Sequence, residues 1–317
     1  MKNKKILILG GTGALGKTLI KRYYKNNEII VFSRDEHKQV KLKNTFTELS
    51  YQIGDVKDKD SLLQAINEYK PDVVINTAAL KHVPICEENP YESVKTNIIG
   101  HKNLINCIQL SNHKVETLIF ISTDKACKPI NVYGMCKAIS ERLYIDYANK
   151  QTDVKVVLCR YGNVLESTGS VIPYFKKLLE NGVDSLPITD ERMTRFTITL
   201  KESVELIDWA YNNQKSHGCI VVPKLKSMYI TDLAKVLAKD YGHEDVKFDF
   251  VGIRPGEKLH EEMVSLEESM RSKEFDKYYM ITDDIINNNA WSFASDSTVI
   301  DDVQELKNFL IEKGVIK

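Results

Sequence analysis

The spacing of apolar positions divides the first half of the chain into alternating strands and helices. Runs that are apolar throughout predict buried parallel strands, since both faces of such a sheet are covered. These runs are Lys5–Leu9, Glu28–Ser33, Asp72–Asn76, Thr117–Ser122 and Val154–Arg160. Longer stretches between them predict helices at Gly16–Lys25, Asp60–Glu68, Tyr91–Leu110 and Tyr133–Asn149. The alternation predicts an α/β fold with a doubly wound parallel sheet of the Rossmann type.

The regular alternation ends near Tyr161. The elements predicted beyond it are helices at Val171–Asn181, Leu200–Asn212 and Ile230–Lys239, and a strand that runs into a turn at Asp249–Gly256. We therefore expect a dinucleotide-binding Rossmann domain over residues 1–165 and a smaller α/β substrate-binding region over residues 166–317. This division leaves open that one or two later elements return to the main sheet.

Composition narrows the classes of function. The 44 acidic residues balance the 44 basic ones, so the chain has no electrostatic footprint for nucleic acid or for an anionic membrane. No apolar run approaches the roughly 20 residues that span a bilayer, and Ile6–Leu9 is too short for the core of a signal peptide. The six cysteines lie far apart without metal-ligand spacing, so we expect no metal site and a reducing, cytoplasmic location.

A glycine-rich turn follows the first strand. Gly10 permits the tight turn, Gly13 lets the backbone approach a pyrophosphate, and Gly16 allows close packing of helix on strand. The amides at the start of the helix, near Ala14, form an anion site. The turn therefore predicts a bound dinucleotide. The expected contacts are Gly10, Thr12, Gly13, Ala14, Leu15 and Gly16.

The end of the second strand predicts which dinucleotide is bound. Ser33 and Arg34, with Lys38 one turn further on, favour NADP, because an Arg accommodates the 2′-phosphate where a carboxylate would bind a ribose hydroxyl. Asp35 and Glu36 follow directly, so NAD remains an alternative.

Asp55 and Val56 follow the next short strand. Asp55 lies where it can meet the adenine amino group. A turn-forming or helix-capping Asp explains this residue almost as well.

A Tyr and a Lys lie four residues apart in the fourth predicted helix. Tyr133 and Lys137 share one helix face. A cation there stabilises a phenolate, so the tyrosine can take a proton from an alcohol near neutral pH, and Lys137 can also bond the nicotinamide ribose. The pair follows a strand that ends in Ser122-Thr123, downstream of a dinucleotide turn. That context makes it a catalytic signature and not a solvated helix face.

Together these segments resemble the extended short-chain dehydrogenase/reductases. More narrowly, they resemble the soluble UDP-N-acetylglucosamine 4,6-dehydratases that begin pseudaminic acid synthesis. The similarity covers almost the whole chain. Besides the opening glycines, it rests on Phe32–Glu36, Ala78–Pro84, Ser122–Ala126, Arg160–Val164, Ile188–Asp190, Met193–Phe196 and Arg254–Glu261.

The resemblance implies a redox-neutral cycle on a UDP-sugar. Tyr133 would remove the proton of the 4-hydroxyl while hydride passes from C4 to the nicotinamide, and Thr123 belongs to the same catalytic group. The 4-ketone acidifies the hydrogen at C5, which a neutral Lys125 would abstract. A protonated Asp124 would give its proton to the departing 6-hydroxyl, and hydride would return to C6. A neutral Lys beside a neutral Asp requires a desolvated site.

Two positions divide the resembled family further. Other 4,6-dehydratases are expected to have Asp-Glu where this chain has Asp124-Lys125, and the membrane-bound, C5-retaining enzymes to have Met where Tyr133 stands. Tyr133 therefore favours the C5-inverting type. The rival functions are a nucleotide-sugar 4-epimerase or 4-ketoreductase, neither of which needs an acid/base pair at C6. A catalytically dead NADP(H) sensor or interaction protein is a third reading, against which Tyr133 and Lys137 argue.

The resemblance also implies substrate and partner contacts. Ala78 and Ala79 would line the cofactor, and Asn97 would organise a relay water near Lys137, unless it only satisfies backbone groups. A homo-oligomer is expected through the helices around Tyr133. Residues assigned to the UDP-sugar, each with a salt bridge or a turn as the alternative, are Arg195 and Arg254 for phosphate, Lys81 and Asn163 for the sugar or diphosphate, and Glu257 for the uridine ribose.

Overall fold

A nine-stranded sheet organises the structure, a computed structural model that describes residues 1–150, 153–165, 167, 169–286 and 288–317. The strands in chain order are β1 (Lys5–Leu9), β2 (Glu28–Ser33), β3 (Ser50–Ile53), β4 (Val73–Asn76), β5 (Thr117–Ile121), β6 (Lys155–Cys159), β7 (Asn163–Val164), β8 (Ser185–Ile188), β9 (Thr194–Ile198), β10 (Ile220–Pro223), β11 (Ser227–Tyr229), β12 (Lys247–Phe250), β13 (Glu262–Val264), β14 (Ser272–Glu274), β15 (Tyr278–Ile281) and β16 (Phe293–Ala294).

Helices cover both faces of this sheet. In chain order they are α1 (Ala14–Tyr23), α2 (Glu36–Lys43), α3 (Lys59–Tyr69), α4 (Val83–Glu88), α5 (Pro90–Val94), α6 (Gly100–Leu110), α7 (Val132–Lys150), α8 (Val171–Glu180), α9 (Leu200–Asn212), α10 (Ile230–Asp240), α11 (Leu266–Ser269) and α12 (Val303–Glu312). Short 3-10 turns span Tyr24–Asn26, Asp124–Ala126 and Gln214–Ser216, and a π-helical turn spans Lys95–Ile99.

The strand order of the main sheet is β14-β15-β10-β6-β5-β4-β1-β2-β3. The seven strands from β10 to β3 run parallel, and β15 and β14 add an antiparallel edge. The central strands are buried on both faces, as their apolar runs require. The predicted doubly wound Rossmann fold is confirmed. The order reverses between β1 and β4, and the carboxyl ends beside such a switch point are where open α/β sheets bind ligands.

The second half of the chain contributes to the main sheet and also builds smaller layers. Strands β10, β14 and β15 join the main sheet, while the others pair as β11-β9-β7, β12-β8 and β13-β16. A separate apolar core, which includes Phe175, Leu186 and Leu237, lies among these smaller layers. The division at residues 165 and 166 stays a prediction, and residue 166 lies outside the described residues.

Two predicted elements differ from the structure. Instead of one helix over Tyr91–Leu110, α5 and α6 flank the π-helical turn, in which the Asn97 amide binds both backbone groups of Leu80 at 2.8 and 2.9 Å. The strand expected to run into a turn over Asp249–Gly256 has earlier bounds. It is β12, which pairs with β8 over Lys247–Phe250, and the Gly252 and Pro255 that follow favour the turn.

Candidate active site

The glycine turn after β1 has the geometry that a pyrophosphate needs. Gly10 adopts a φ of 76°, and its amide donates to the Phe32 carbonyl at 2.8 Å, which ties the turn to β2. Helix α1 begins after Gly13 with no side-chain cap and no acidic residue in its first turn. Its first amides therefore point out of the helix with no carboxylate beside them. An uncapped helix N-terminus of this kind fits a dinucleotide phosphate.

The residues at the end of β2 hold one another in defined contacts. Asp35 caps α2 by accepting the Lys38 amide at 2.9 Å, and it also pairs with the Lys38 ammonium at 2.8 Å. Arg34 is 56% exposed and lies 3.5 Å from the Asp55 carboxylate. Asp55 also accepts the Lys57 amide at 2.9 Å, as its turn-forming alternative predicted. Asp35 is therefore engaged in the α2 cap, and the Arg34 side chain remains largely exposed.

The loop after β4 is fixed by a buried histidine that sequence reasoning missed. The ring of His101 contacts the Ala78 carbonyl at 3.1 Å and the Ser140 hydroxyl at 3.0 Å. Burial lowers the pKa of His101 to about 3, so the ring stays neutral. Only the side-by-side placement of α6, α7 and this loop reveals its role. Ala79 and Lys81 follow in the same loop, at the sheet edge that also carries the glycine turn.

Helix α7 carries the predicted Tyr133 and Lys137 to the end of β5. It packs closely on the turn at Asp124–Ala126, since a Cβ on Gly134 would collide with the Lys125 carbonyl oxygen. Lys137 is buried, donates to the Ile121 carbonyl at 2.5 Å and lies 4.2 Å from the centroid of the Phe120 ring. Burial lowers the pKa of Lys137 to about 7.

The phenol of Tyr133 is not poised as a base in this structure. Burial raises the pKa of Tyr133 to about 12, and the effect that most strongly opposes burial is the charge of Lys125. The expected support from Lys137 stays a prediction. A hydrogen bond with Thr123 also lowers the pKa of Tyr133, and Thr123 in turn donates to Asp124 Oδ1 at 2.9 Å. Tyr133 is thereby linked to the acid/base pair.

Lys125 lies between two buried carboxylates. Its Nζ is 3.0 Å from Asp124 Oδ1, 3.2 Å from Glu261 Oε1 and 3.2 Å from Asn163 Oδ1. Burial opposes the charge on Lys125, but Asp124 and Glu261 outweigh it, so the pKa of Lys125 lies above its usual value. The lysine therefore rests as a cation. The neutral form expected from the sequence would have to arise in the substrate complex.

The two carboxyl groups of this cluster differ. Burial raises the pKa of Asp124, as a general acid requires. Burial also raises the pKa of Glu261, but the charges of Lys125 and Arg195 outweigh burial, so the pKa of Glu261 is lowered. Among the described residues, Asp124 Oδ2 and Glu261 Oε2 find no hydrogen-bond partner although both are buried. Unpartnered buried oxygens are uncommon, and here they are two acceptors left for a ligand.

Sequence reasoning missed Glu261 as a site residue, although it ends the Arg254–Glu261 segment. One chemical signal in the sequence could have indicated it. An Asp-Lys pair that is buried can take a further charged partner, and the Arg254–Glu261 segment carries several charged residues. Lys258 of the same segment lies 3.9 Å from Glu261 Oε2 and donates to the Cys127 carbonyl at 2.7 Å.

The predicted substrate contacts fall into two groups. Asn163 lies in the cluster itself, beside Lys125. Arg195 donates to the Thr194, Lys258 and Leu259 carbonyls at 2.7 to 3.1 Å and so anchors the Arg254–Glu261 segment. Arg254, 62% exposed, forms a two-point ion pair with Glu257 at 2.7 and 3.0 Å. Arg254 thus makes the salt bridge that was its alternative, whereas Arg195 binds backbone carbonyls, and the phosphate roles of both stay predictions.

A cavity adjoins this group. Polar residues in its wall are Asn163, Ser170, Arg195 and Thr197. The Ser170 and Thr197 hydroxyls are buried and have no hydrogen-bond partner in the part of the chain that the structure describes. The wall is otherwise mainly apolar, formed by α8, α10 and the strands beside them.

A second buried charge cluster lies beside the first. Arg160, directly after β6, binds Glu141 of α7 through Nε and Nη2 at 2.9 and 2.6 Å. It binds Glu268 of α11 twice at 2.8 Å and the Met263 carbonyl at 2.8 Å. All five guanidinium hydrogens are thereby engaged. Ser122, two residues before Asp124, donates to Glu141 at 2.5 Å, so this cluster contacts the segment that carries Asp124 and Lys125.

Comparison with known proteins identifies relatives over nearly the whole chain. The family model described as "Polysaccharide biosynthesis protein" matches residues 6–283. A Campylobacter jejuni protein named UDP-N-acetylglucosamine 4,6-dehydratase (inverting) is 47% identical over 297 residues, 90% of this chain and 85% of that protein. A Rickettsia typhi protein named UDP-glucose 4-epimerase is 38% identical over 289 residues, 88% of this chain and 83% of that one.

A solved structure matches the fold as a whole. Pen from Bacillus thuringiensis is 31% identical and superposes with a TM-score of 0.89, covering 100% of this chain and 99% of that one. None of the helices in the described residues has the length and apolar character to cross a membrane.

Proposed function

The chain belongs to the polysaccharide biosynthesis protein family, and on that premise we propose that it is a UDP-N-acetylglucosamine 4,6-dehydratase that inverts C5. The product would be a UDP-2-acetamido-2,6-dideoxy-hexos-4-ulose. The observation that carries the proposal is the buried Asp124–Lys125 pair, in contact at 3.0 Å and linked to Tyr133 through Thr123. An acid and a base side by side suit the elimination of water.

In the first step Tyr133 takes the proton of the sugar 4-hydroxyl, with Thr123 and Lys137 beside it. A bound nicotinamide would supply the redox chemistry by accepting hydride from C4 and returning it to C6. Any cation brought next to the phenol lowers the pKa of Tyr133 from the value of about 12 that burial gives it. The 4-ketone then acidifies the hydrogen at C5.

In the second step the Asp124–Lys125 pair eliminates water. Lys125 takes the C5 proton as a neutral amine, and Asp124 gives its proton to the departing 6-hydroxyl. The return of hydride to C6 is completed by a proton delivered to C5, in the inverting reaction from the face opposite the one that was deprotonated. Burial favours the protonated form of Asp124, which is the form that can act as the acid. Tyr133, in place of the Met expected in C5-retaining relatives, supports inversion.

The proposed cofactor is NADP, which stays bound through the cycle. The uncapped start of α1 would hold its pyrophosphate, and the exposed Arg34 would face the 2′-phosphate. Asp35 is engaged in the α2 cap, which weighs against the ribose contact that NAD would use. The residues assigned to the cofactor are Gly10, Thr12, Gly13, Ala14, Leu15, Gly16, Ser33, Arg34, Lys38, Asp55, Val56, Ala78, Ala79, Tyr133 and Lys137.

The proposed UDP-sugar site extends from the catalytic cluster toward the Arg254–Glu261 segment. Asn163 would meet the sugar, Lys81 and Arg195 the sugar or diphosphate, and Arg254 with Glu257 the nucleotide end. Half-exposed apolar side chains on α4 and α7, among them Ile85 and Met135, support association with further copies of this chain through these helices.

A UDP-sugar 4-epimerase is the second candidate, because the Rickettsia typhi relative carries that name. Both reactions begin with oxidation at C4. An epimerase returns hydride to C4 and leaves the 6-hydroxyl in place, so it has no need of an acid beside Lys125. The Asp124–Lys125 contact therefore favours the dehydratase.

The test is to incubate the protein with UDP-N-acetylglucosamine in deuterated water and follow the sugar by NMR. A dehydratase gives a C6 methyl group with deuterium at C5, and the ring couplings report the configuration at C5. A 4-epimer that keeps its 6-hydroxyl would establish the rival function. Absence of a methyl product, or a stoichiometric demand for added NADPH, would refute the proposal.

A further inference from the structure

Three acceptor oxygens lie within 3.2 Å of the Lys125 ammonium nitrogen. They are Asp124 Oδ1, Glu261 Oε1 and Asn163 Oδ1, at 3.0, 3.2 and 3.2 Å. A lysine ammonium has three donors and no lone pair. In this arrangement Lys125 cannot accept a proton from carbon, so a base at C5 arises only after the ammonium loses one of these hydrogens.

The cluster already contains the number of protons that elimination needs. With Lys125 as a cation and both Asp124 and Glu261 as carboxylates, one proton of the ammonium can move within the cluster. Transfer of one proton from Lys125 to Asp124 gives the neutral amine and the protonated acid. Lys125 then gains the C5 proton and Asp124 loses its own to the leaving hydroxyl, which restores the resting state. Glu261 keeps its charge throughout.

Glu261 is held in place by groups that do not take part in this exchange. Its amide donates to the Ser295 hydroxyl at 2.9 Å, and its carbonyl accepts the Ser295 amide at 2.8 Å. The charged side chains that face it are Lys125, Arg195 at 4.0 Å and Lys258 at 3.9 Å. The charged side chains that face Lys125 are Asp124, Glu261 and Arg195. The charge of Lys125 in turn lowers the pKa of the Tyr133 phenol.

We infer that Glu261 is a positioning residue that sets how readily Lys125 gives up its proton to Asp124, and so governs the acid/base pair without touching the reacting carbons. The inference rests on the proposed function for its catalytic meaning. Two observations carry it: the 3.2 Å contact with Lys125, and a carboxylate only 3% exposed whose second oxygen has no hydrogen-bond partner among the described residues. In the neighbouring pair of Glu141 and Arg160, by contrast, both carboxylate oxygens accept hydrogen bonds.

The test compares Glu261→Gln with the wild-type protein. Loss of one charge 3.2 Å from Lys125 lowers the pKa of the lysine by at least about one unit. Competitive acetylation with acetic anhydride at fixed pH, read by mass spectrometry against the exposed Lys150, should label Lys125 at least about ten times faster. In the pH profile of kcat, the acidic limb should shift by about one unit to lower pH. The KM for UDP-N-acetylglucosamine should change little.

Two further variants separate charge from packing. Glu261→Asp keeps the charge, so Lys125 in this variant should be acetylated at nearly the wild-type rate. Glu262→Gln removes the next carboxylate, which pairs with Lys128 at 3.0 Å on the surface, and should leave both readouts unchanged. Equal labelling of Lys125 in wild type and Glu261→Gln would overturn the inference, whatever the activity. A wild-type protein that forms no 6-deoxy product would refute the proposed function, and the labelling would still decide the role of Glu261.

Discussion

Two buried clusters lie after β5 and β6, and each places a cation between two carboxylates. In the cluster after β6, Arg160 uses all five hydrogens on Glu141, Glu268 and Met263, and its side chain is 1% exposed. In the cluster after β5, Lys125 is 17% exposed, and the described residues leave one oxygen of Asp124 and one of Glu261 without a hydrogen bond.

The difference separates a cluster that stabilises the fold from one that is prepared for chemistry. Planar Arg binds carboxylates at two points and keeps its proton, whereas Lys is a single-point donor whose pKa shifts when its surroundings change. A fully satisfied network is rigid. Free acceptors next to a lysine leave room for a ligand and for proton transfer, and we expect the two clusters to respond differently to the same kind of change.

The largest effect on stability is expected at Arg160. Arg160→Met leaves Glu141 and Glu268 buried without their cation, which should lower the free energy of unfolding by about 3–5 kcal/mol. Urea denaturation measures this. Arg192→Met is the matched control, because Arg192 is 65% exposed in its pair with Asp190 and exposed pairs contribute about 0–1 kcal/mol. Equal losses in the two variants would contradict the structural role of the Arg160 cluster.

A somewhat smaller loss of stability is expected when the pH is lowered. For Glu268, burial favours protonation but Arg160 outweighs it, and the pKa falls from 4.5 to about 2. The stabilisation from Glu268 is thus present above pH 4.5 and is lost as the pH falls toward 2, about 3 kcal/mol in all. Unfolding measured from pH 5 to pH 2 should show this loss in the wild type, and a shallower one in Glu268→Gln. Parallel curves would exclude Glu268 as its source.

The smallest effect is expected at Arg34, whose side chain is 56% exposed. Arg34→Ala removes the cation proposed to face the 2′-phosphate and should raise the Kd for NADP about tenfold, since a hydrogen bond to a charged group contributes about 1.5–3 kcal/mol and solvent reduces this. The Kd for NAD should change little. Fluorescence titration of both dinucleotides gives the comparison. If both weaken equally, Arg34 does not select the cofactor.

The two clusters also show which parts of the structure can be predicted from the sequence alone. The apolar runs predict the parallel sheet, and Leu200–Asn212 is found at its predicted bounds, because local patterns determine buried strands and amphipathic helices. Helices α2 and α12 are missing from the predictions. Their Asp35 and Asp302 caps are local signals, but α2 is short and has little apolar periodicity.

Contacts between distant segments account for what the sequence leaves open. Asp124 and Lys125 stand next to each other in the chain and are readable as a pair. Glu261 reaches them from 136 positions beyond Lys125 through the Ser295 contact, which no local pattern specifies. The π-helical turn at Lys95–Ile99 likewise carries a contact between distant segments, the two hydrogen bonds of Asn97 with the backbone of Leu80.

The central claim is that Lys125 removes the proton at C5 after oxidation at C4 is complete. The most direct measurement is stopped-flow absorbance of the reduced nicotinamide after NADP-loaded Lys125→Met is mixed with UDP-N-acetylglucosamine. If Lys125 is this base, reduced nicotinamide should accumulate while the 6-deoxy product forms about 10²–10⁴ times more slowly than in the wild type. Tyr133→Phe should give neither signal. Normal turnover in Lys125→Met would contradict the claim.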